Sequence, residues 1–255
     1  RCAPNENWLQ TEGKNQSMKT LHTIKTWINS IGLVYTRMLC KREYTRQKFL
    51  GLNERPVEFA FIFKKIVEIY PKNILDVGTG MTALPYMLRN TGLLVTAIDN
   101  IKDYWPKGMV NRHFHVVNDD IQNTKLKEQF DVITCISVLE HIQDHRAAMK
   151  SMFKLLKPGG TLILTCPYTH HQYVPNVYDL KESGVTDKFS FVTQSFSEKE
   201  RTEWMDDSEF ELSDEEYWQF FDGEFWTCGK QHDKPSKVTE QDRHQISCMA
   251  FRRPE

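Results

Sequence analysis

The sequence lacks the features that mark several protein classes. Its six cysteines are scattered singly, without a Cys-x-x-Cys pair, which argues against a disulfide framework or a zinc site and favours free thiols in a reducing compartment. No uninterrupted apolar run is long enough to span a bilayer. Lys25, Asn29 and Arg37 interrupt the stretch from Met18 to Cys40, which therefore predicts an amphipathic helix rather than a signal peptide. We expect a soluble, cytoplasmic protein without a membrane span.

An excess of charge of either sign is also missing. The formal net charge is -1 over 255 residues, which gives no global attraction to nucleic acid or to an acidic membrane. The chain is long enough, and at 40% hydrophobic residues apolar enough, for one large α/β domain with an extension. The sequence does not predict an oligomeric state.

The pattern of apolar residues divides the chain into three parts. Residues 1–17 are polar and predict a flexible N-terminal segment. Residues 18–70 predict helices, the second of them from Val57 to Ile69, where apolar residues recur at helical spacing before Pro71. Residues 71–255 predict an α/β domain, with an irregular insertion at about 168–235.

Strands alternate with helices in the first half of this domain, which predicts a parallel sheet covered on both faces. The predicted strands are NILDVG, LLVTAIDN, FHVVNDD, FDVITCIS and TLILTCPY, and the predicted helices are TALPYMLRNTG, ending at Gly92, and RAAMKSMFKLLKPGG, ending at Gly159-Gly160. In the second half, SEKERTEWM predicts a helix with a capping box. FELSDEEYW and HQISCMAF predict two late strands, separated by a loop, WQFFDGEFW.

The turn after the first strand predicts a ligand site. Gly78, Gly80 and Ala83 match G-x-G-x-x-A, and Asp99 follows at the spacing of a ribose-binding acid, which fits a nicotinamide dinucleotide. Asp76 distinguishes the ligands, because a pyrophosphate close to this carboxylate would be repelled. S-adenosylmethionine has no phosphate, and its ammonium and sulfonium groups would be attracted. We therefore favour S-adenosylmethionine.

These motifs together resemble those of class I S-adenosylmethionine-dependent methyltransferases. DVGTG, the acid in AIDN, the pair in NDDI, FDVITCISVLEHI and LLKPGGTLILTCP occur in the order and spacing of that family, from about Asn73 to Pro167. The resemblance implies a Rossmann-like, seven-stranded, mostly parallel sheet flanked by helices, whose last strand, HQISCMAF, is antiparallel. It also implies that the N-terminal helices cover the cofactor cleft. Thr82 stands where many members have a third glycine.

The resemblance implies cofactor-binding residues at the ends of the strands. Gly78 and Gly80 let the backbone approach the cofactor, and Asp99 accepts hydrogen bonds from both ribose hydroxyls, for which a carboxylate is suited. Asp120 faces the adenine amine, unless the adjacent Asp119 points inward instead. The predicted set is Asp76, Gly78, Thr79, Gly80, Asp99, Asn100, Asp120, Ile121, Cys135 and Ile136.

Candidate catalytic residues follow the fourth and fifth strands. A hydroxyl acceptor needs a base, and histidine has a suitable unperturbed pKa. The candidates for the base or for a hydrogen bond to the acceptor are His141, His170, His171 and Tyr168. Glu140, His141 and one later histidine also resemble the metal-binding run Glu-x-x-Glu-His of small-RNA 3′-end methyltransferases, but Ser137 replaces the first glutamate. We therefore predict no metal.

The acceptor is the least determined part of the prediction. Glu198 to Glu224 holds about a dozen acids, where a nucleic-acid groove would need basic residues. The segment is either a solvated face or an acidic, aromatic lid, and its aromatic residues stack on the acceptor or, as we expect for most of them, fill the core. We predict O-methylation of a small molecule or glycan, with S-adenosylhomocysteine as the product. The alternatives are a metal-assisted RNA 3′-end methyltransferase, an NAD-dependent oxidoreductase and a non-catalytic, cofactor-binding partner subunit.

Overall fold

The described part of the first of two compact units contains one long helix. The computed structural model describes residues 7–49, 51–185 and 191–255, and the chain divides between Gly51 and Leu52. Helix α1 runs over Asn7–Arg46, so residues 7–17 of the segment predicted to be flexible are helical, and residues 1–6 lie outside the described part. Among the described residues, no helix is long and apolar enough to cross a membrane. That α1 covers the cofactor cleft stays a prediction.

The second unit begins with helix α2, Arg55–Ile69. Pro56 lies in its first turn, where the missing N–H costs nothing. The helix ends at Tyr70, which has a left-handed φ of 54° and donates its N–H to the Ile66 carbonyl. Ile62 and Ile66, on the apolar stripe that the helical spacing predicted, are buried, and Phe61 beside them is buried as well.

Within the described residues, an eight-stranded sheet forms the rest of this unit's framework, so the predicted count of seven strands is wrong. Its order is β3-β2-β1-β4-β5-β8-β6-β7. Strands β1 to β5 pair in parallel, and β8 lies antiparallel between β5 and β6, which confirms the antiparallel placement of HQISCMAF. The strands are β1 (Asn73–Val77), β2 (Leu94–Asp99), β3 (Val117–Asn118), β4 (Phe130–Ile136), β5 (Leu156–Pro167), β6 (Glu211–Phe221), β7 (Gln231–Val238) and β8 (Ile246–Arg252).

The unpredicted strand β7 lies at the edge of the sheet. Its sequence, QHDKPSKV, is polar and contains a proline, both of which are typical of an edge strand but give no apolar alternation to recognise. Its partner β6 extends through Phe221, so the first half of the predicted loop WQFFDGEFW is strand. Only the part from Asp222 onward turns back.

In the part of the chain that the structure describes, four further α-helices connect the strands: α3 (Leu84–Asn90), α4 (Ile101–Tyr104), α5 (His145–Leu155) and α6 (Glu198–Ser208). Helix α5 ends four residues before Gly159, so the predicted end at Gly159-Gly160 is wrong. Gly159 instead belongs to β5, with a φ of 73° and its N–H donated to the Arg253 carbonyl. The glycine pair therefore serves the strand rather than the end of the helix.

The core lies on both faces of the sheet, because successive strand residues point to opposite sides. On one face Ile133 and Leu164 pack with residues of α5 and with Trp204 of α6. On the other face Val132 and Ile163 pack with residues of α2 and α3. Because both faces of the sheet are covered, the place left for a ligand is the edge where β1, β2, β3 and β4 end.

Helix α6 allows a test of the predicted capping box. The Ser197 N–H and hydroxyl both donate to Glu200 Oε2, at 3.0 and 2.6 Å. Ser208, at the other end of the same helix, has a buried hydroxyl without a partner. We expect Ser197→Ala to lower the free energy of unfolding by about 1 kcal/mol and Ser208→Ala to leave it unchanged or raise it. Equal losses in chemical denaturation would contradict the capping role.

Candidate active site

A cavity of about 700 Å³ opens at the carboxyl ends of the parallel strands. Its volume lies within the range of small-molecule sites. All but one of the predicted cofactor residues line it: Asp76, Gly78, Thr79, Gly80, Asp99, Asn100, Asp120, Ile121 and Ile136. The exception, Cys135, is fully buried in β4, and burial raises the pKa of its thiol.

Glycine is required for different structural reasons at the two glycine positions after β1. Both have left-handed backbones, with φ of 70° at Gly78 and 54° at Gly80. A Cβ on Gly78 would lie 2.3 Å from Val138 Cγ1, whereas the nearest atom to a Cβ on Gly80 is Trp105 Cζ2, at 3.6 Å. Gly78 therefore allows the turn after β1 to approach the turn after β4, and Gly80 leaves room on the cavity side.

Asp76 lies at the end of β1 with only 2% of its surface exposed. Thr79 Oγ1 and Thr134 Oγ1 each donate to one of its carboxylate oxygens, both at 2.7 Å. Burial raises its pKa to about 6, against the effect of these two hydrogen bonds. The carboxylate is thus fixed in place beside the glycine turn.

Asp99, at the end of β2, accepts two hydrogen bonds. The Gly80 N–H donates to Oδ2 at 2.7 Å, and the Trp105 indole Nε1–H donates to Oδ1 at 2.9 Å. A carboxylate has about four acceptor sites, so two remain for a ligand. Trp105, which also lines the cavity, was missed by the sequence reasoning. The aromatic run Tyr104-Trp105 soon after the predicted acid was the signal that could have identified it.

The neighbouring acids Asp119 and Asp120 differ in their contacts, although both line the cavity. Asp119 is buried and accepts from the Thr124 hydroxyl at 2.6 Å and from the Lys125 N–H at 3.1 Å. Asp120 is half-buried and accepts from the Gln122 N–H at 2.9 Å. Asp119 therefore holds the loop after β3 together. Asp120 also accepts from Gln122 Nε2 at 3.2 Å, but it is the more exposed of the two acids and so the more accessible to a ligand.

The cavity is rich in negative charge. Arg55 supplies a positive charge, and its Nη1 donates to Glu58 Oε2 at 2.8 Å and to the Ile136 carbonyl at 3.4 Å. Among the described lining residues, the carboxylates are those of Asp76, Asp99, Asp119 and Asp120. This balance suits a ligand with positive groups and opposes one with a pyrophosphate.

Glu58, a second residue that the sequence reasoning missed, joins α2 to the strand ends. Its side chain is wholly buried, and its Oε1 accepts from the hydroxyls of Ser137, at 2.5 Å, and Thr165, at 2.6 Å. Burial raises its pKa. Ser137 follows β4 with a left-handed φ of 49°. The acid within the apolar stripe of α2 was the signal for this role.

His141 lies in the short 3₁₀ turn Leu139–His141 and lines the cavity. Its Nδ1 is 2.8 Å from the Val192 carbonyl oxygen. A carbonyl only accepts, so Nδ1 carries the hydrogen and, in the neutral ring, Nε2 has the lone pair. Burial lowers the pKa of His141. The ring is therefore a neutral imidazole with a basic nitrogen.

The other three candidate catalytic residues lie outside the cavity lining. Tyr168 is fully buried, and its ring stacks on His244 with the centroids 5.8 Å apart. His170 lies 3.3 Å from both Glu198 and Glu240, and the exposed His171 meets it edge-on. The reason is that the chain leaves β5 by pairing Tyr168 with Phe196, which directs these side chains toward α6 and β6.

Glu140 differs from the histidine beside it. Only 3% of its surface is exposed, its Oε2 has no partner, and burial raises its pKa to about 8. Burial therefore favours the neutral, protonated acid. In the described part of the chain, no group of three or more His, Cys, Asp and Glu residues could hold a metal ion.

The acidic, aromatic segment 198–224 does not line the cavity. Trp204, Tyr217 and Phe221 are buried in the two core clusters, and the partly buried Trp218 and Trp226 pack against one of them, which confirms the expectation that most of these aromatic residues fill the core. Acids of the segment pair with cations elsewhere, Asp214 with Lys65 and Asp207 with Arg146. The segment therefore packs against the sheet and does not form a lid over the cavity.

Comparison with known proteins agrees with the geometry. Residues 42–215 match the family model described as "Methyltransferase domain". The chain belongs to this family. The predicted membership of the S-adenosylmethionine-dependent methyltransferases is confirmed by the match, and with it the class of enzyme and of cofactor.

Individual proteins similar to this methyltransferase share 31% or less of their sequence with it. It is 29% identical over 173 residues to a ubiquinone biosynthesis O-methyltransferase of Coxiella burnetii, covering 62% of this chain and 71% of that protein. With the Haemophilus ducreyi protein of the same name it shares 31% identity over 123 residues, 43% of this chain and about half (51%) of that protein. A S-adenosylmethionine-dependent methyltransferase of Clostridium acetobutylicum has the same fold, with a TM-score of 0.50 at 16% identity over 87% of this chain and 100% of that one.

The contact between Gly78 and Val138 gives a stability prediction for the methyltransferase. Gly78→Ala and Gly80→Ala both force alanine into a left-handed backbone, which costs about 1–2 kcal/mol. Only Gly78→Ala adds the clash with Val138, so we expect it to lower the free energy of unfolding by a further ~1–3 kcal/mol. Chemical denaturation of the two variants measures this difference. Equal losses would mean that the two turns move apart at no cost.

Glu140 gives a prediction for the dependence of stability on pH. Its pKa rises from 4.5 to about 8 on folding, so the folded protein binds a proton that the unfolded chain has lost. The free energy of unfolding should therefore fall as pH rises from about 5 to 8. Glu140→Gln should remove roughly 2–4 kcal/mol of this fall, whereas the same change at the exposed Glu211 should not. Parallel slopes for wild type and Glu140→Gln would contradict the prediction.

Proposed function

We propose that the methyltransferase transfers a methyl group from S-adenosylmethionine to a hydroxyl of a small molecule, with His141 as the general base. The observation that carries this proposal is the hydrogen bond from His141 Nδ1 to the Val192 carbonyl, 2.8 Å long. It leaves Nε2 of a cavity-lining, neutral histidine to accept a proton. Three further properties of the cavity support the proposal.

The first supporting property is the fit of the cavity to the cofactor. Asp99 retains capacity for two hydrogen bonds and would hold the ribose hydroxyls, while Asp120 would accept from the adenine amine beside Ile121. Gly78, Thr79 and Gly80 would bring the backbone close to the ligand, with Ile136 at its methionine end. When bound, S-adenosylmethionine supplies a methyl group on a positively charged sulfur, which suits a cavity lined by four carboxylates.

The second supporting property is the charge around the methionine end. Asp76 would attract the ammonium group, and Arg55 would face the carboxylate. Glu58 keeps Arg55 near the end of β4 through a hydrogen bond of 2.8 Å. A dinucleotide would bring its pyrophosphate close to Asp76, so this charge disfavours an NAD-dependent oxidoreductase.

The third supporting property is the environment of the base. A hydroxyl becomes a better nucleophile as its proton leaves, and a positioned base typically contributes about 10²–10⁴-fold. His141 Nε2 would take this proton while Nδ1–H stays on the Val192 carbonyl. The base is neutral at pH 7 because burial lowers its pKa. The relatives in Coxiella and Haemophilus are named O-methyltransferases, which supports oxygen as the acceptor atom.

The walls beside His141 favour an aromatic acceptor. The rings of Tyr104 and Phe191 line the cavity, with centroids 6.2 and 4.9 Å from that of His141. Aromatic rings pack well against such surfaces. We therefore propose a hydroxyl on an aromatic ring ahead of a sugar hydroxyl.

Calorimetric titration tests the cofactor. We expect wild type to bind S-adenosylmethionine and S-adenosylhomocysteine but not NADH. Asp99→Ala should weaken binding by at least about tenfold, because two charge-assisted hydrogen bonds are lost. The matched control is Asp103→Ala, an exposed acid on the adjacent α4, which should bind as wild type does. Binding of NADH alone would contradict the proposal.

Methyl transfer to probe acceptors tests the base. Catechol, methyl glucoside and benzylamine represent aromatic hydroxyls, sugar hydroxyls and amines. We expect transfer to catechol, with a rate that rises with pH through a pKa below the ordinary histidine value of 6.5, because only the neutral ring accepts a proton. His141→Gln should lower kcat by about 10²–10³-fold and leave S-adenosylhomocysteine binding unchanged. Full activity of this variant would remove His141 from catalysis, and methylation of benzylamine alone would exclude O-methylation.

A further inference from the structure

The segment Phe191 to Phe196, here called the strap, lies across the turn that carries His141. Two neighbours fix it in place. The Phe196 N–H donates to the Pro167 carbonyl at 3.0 Å, and Ser195 exchanges backbone hydrogen bonds of 2.9 Å with Val174. These hydrogen bonds hold the strap against β5 and Val174, so the strap can in turn fix the position of the turn that carries His141.

The strap contacts the histidine turn at alternate residues. The Val192 carbonyl accepts from His141 Nδ1 at 2.8 Å. Two residues on, the Gln194 N–H donates to the Glu140 carbonyl at 3.0 Å. Residues two apart in an extended chain face the same side, so one side of the strap meets both the ring of His141 and its backbone.

The Gln194 side chain makes further contacts between the strap and the turn that carries His141. It is 3% exposed, and its amide nitrogen donates to the Ile142 carbonyl at 2.8 Å and to the Glu140 carbonyl at 3.2 Å. These carbonyls belong to the residues on either side of His141. The amide oxygen accepts from the Tyr173 hydroxyl at 2.7 Å, which fixes the orientation of the amide.

We propose that Gln194 is a positioning residue for His141. Its amide holds the Glu140 carbonyl, in the peptide group before the histidine, and the Ile142 carbonyl, one residue after it, so that Nδ1 stays on the Val192 carbonyl and Nε2 remains the basic nitrogen. The Glu140 carbonyl has a second donor in the Gln194 N–H, whereas the Ile142 carbonyl depends on the side chain. Loss of the amide leaves the part-buried Ile142 carbonyl without this donor and removes a restraint on the turn. This inference rests on the proposed role of His141 as the base.

The first test is spectroscopic and needs no acceptor. In protein with ¹⁵N-labelled histidine and bound S-adenosylhomocysteine, the nitrogen shifts of His141 report which nitrogen carries the hydrogen. We expect wild type to show a single Nδ1–H form. Gln194→Met keeps the shape of the side chain without its donors and should give a mixture of the two forms. The control is Gln219→Met, since Gln219 also donates its amide to one backbone carbonyl, that of Phe221.

The second test is kinetic, with catechol as the probe acceptor. We expect Gln194→Met to lower kcat about 10–100-fold, part of the contribution of a positioned base, and to change the pH dependence of kcat. Binding of S-adenosylhomocysteine should stay as in wild type and in Gln219→Met. Gln194→Glu, which keeps one donor when protonated, should fall between Gln194→Met and wild type. If Gln194→Met does not fold, the nitrogen shifts and kcat of Gln194→Glu decide, and wild-type values for both would overturn the proposal.

The outcomes separate the two proposals. If His141→Gln retains wild-type kcat, His141 is not the base and the proposed function fails. If His141→Gln is inactive while Gln194→Met keeps the single Nδ1–H form and the kcat of Gln219→Met, only the role of Gln194 is overturned. A lower unfolding temperature for Gln194→Met with an unchanged nitrogen signature would mean that Gln194 only stabilises the fold, which also overturns it.

Discussion

The close approach of Gly78 to Val138 is the constraint on which the cavity depends. A Cβ at Gly78 would lie 2.3 Å from Val138 Cγ1, so only glycine lets the turns after β1 and β4 meet. The first turn carries the groups proposed to hold the cofactor, and the second leads to Ser137 and His141. The contact between these two turns therefore sets the distance between the proposed cofactor site and the proposed base.

The sequence predicted the parts of the site that follow from local pattern. The apolar runs of β1, β2 and β4 ended at Asp76, Asp99 and Ile136, and residues at those three ends line the cavity. Apolar runs locate buried strands, and parallel strands end at one edge. The polar edge strand β7 has no such pattern, so the count of strands was wrong.

The residues that the sequence did not predict act over long distances in the chain. Glu58 reaches Thr165 across 107 positions, and Gln194 reaches the Glu140 carbonyl across 54. No spacing rule joins such pairs, because tertiary packing brings them together. Tyr168, His170 and His171 follow β5 as His141 follows β4, but the bridge between Tyr168 and Phe196 directs them away from the cavity. Position after a strand therefore indicates the edge of the sheet but not the direction of a side chain.

A cavity lined by acids would ordinarily favour a charged histidine, because nearby carboxylates raise its pKa. His141 escapes this effect through burial, which lowers its pKa, and the positive charge of Arg55 acts in the same direction. A cationic ligand in the cavity would lower it further by the same electrostatic rule. The carboxylates can thus attract a positively charged cofactor without protonating the base, since binding that ligand itself disfavours a second positive charge nearby.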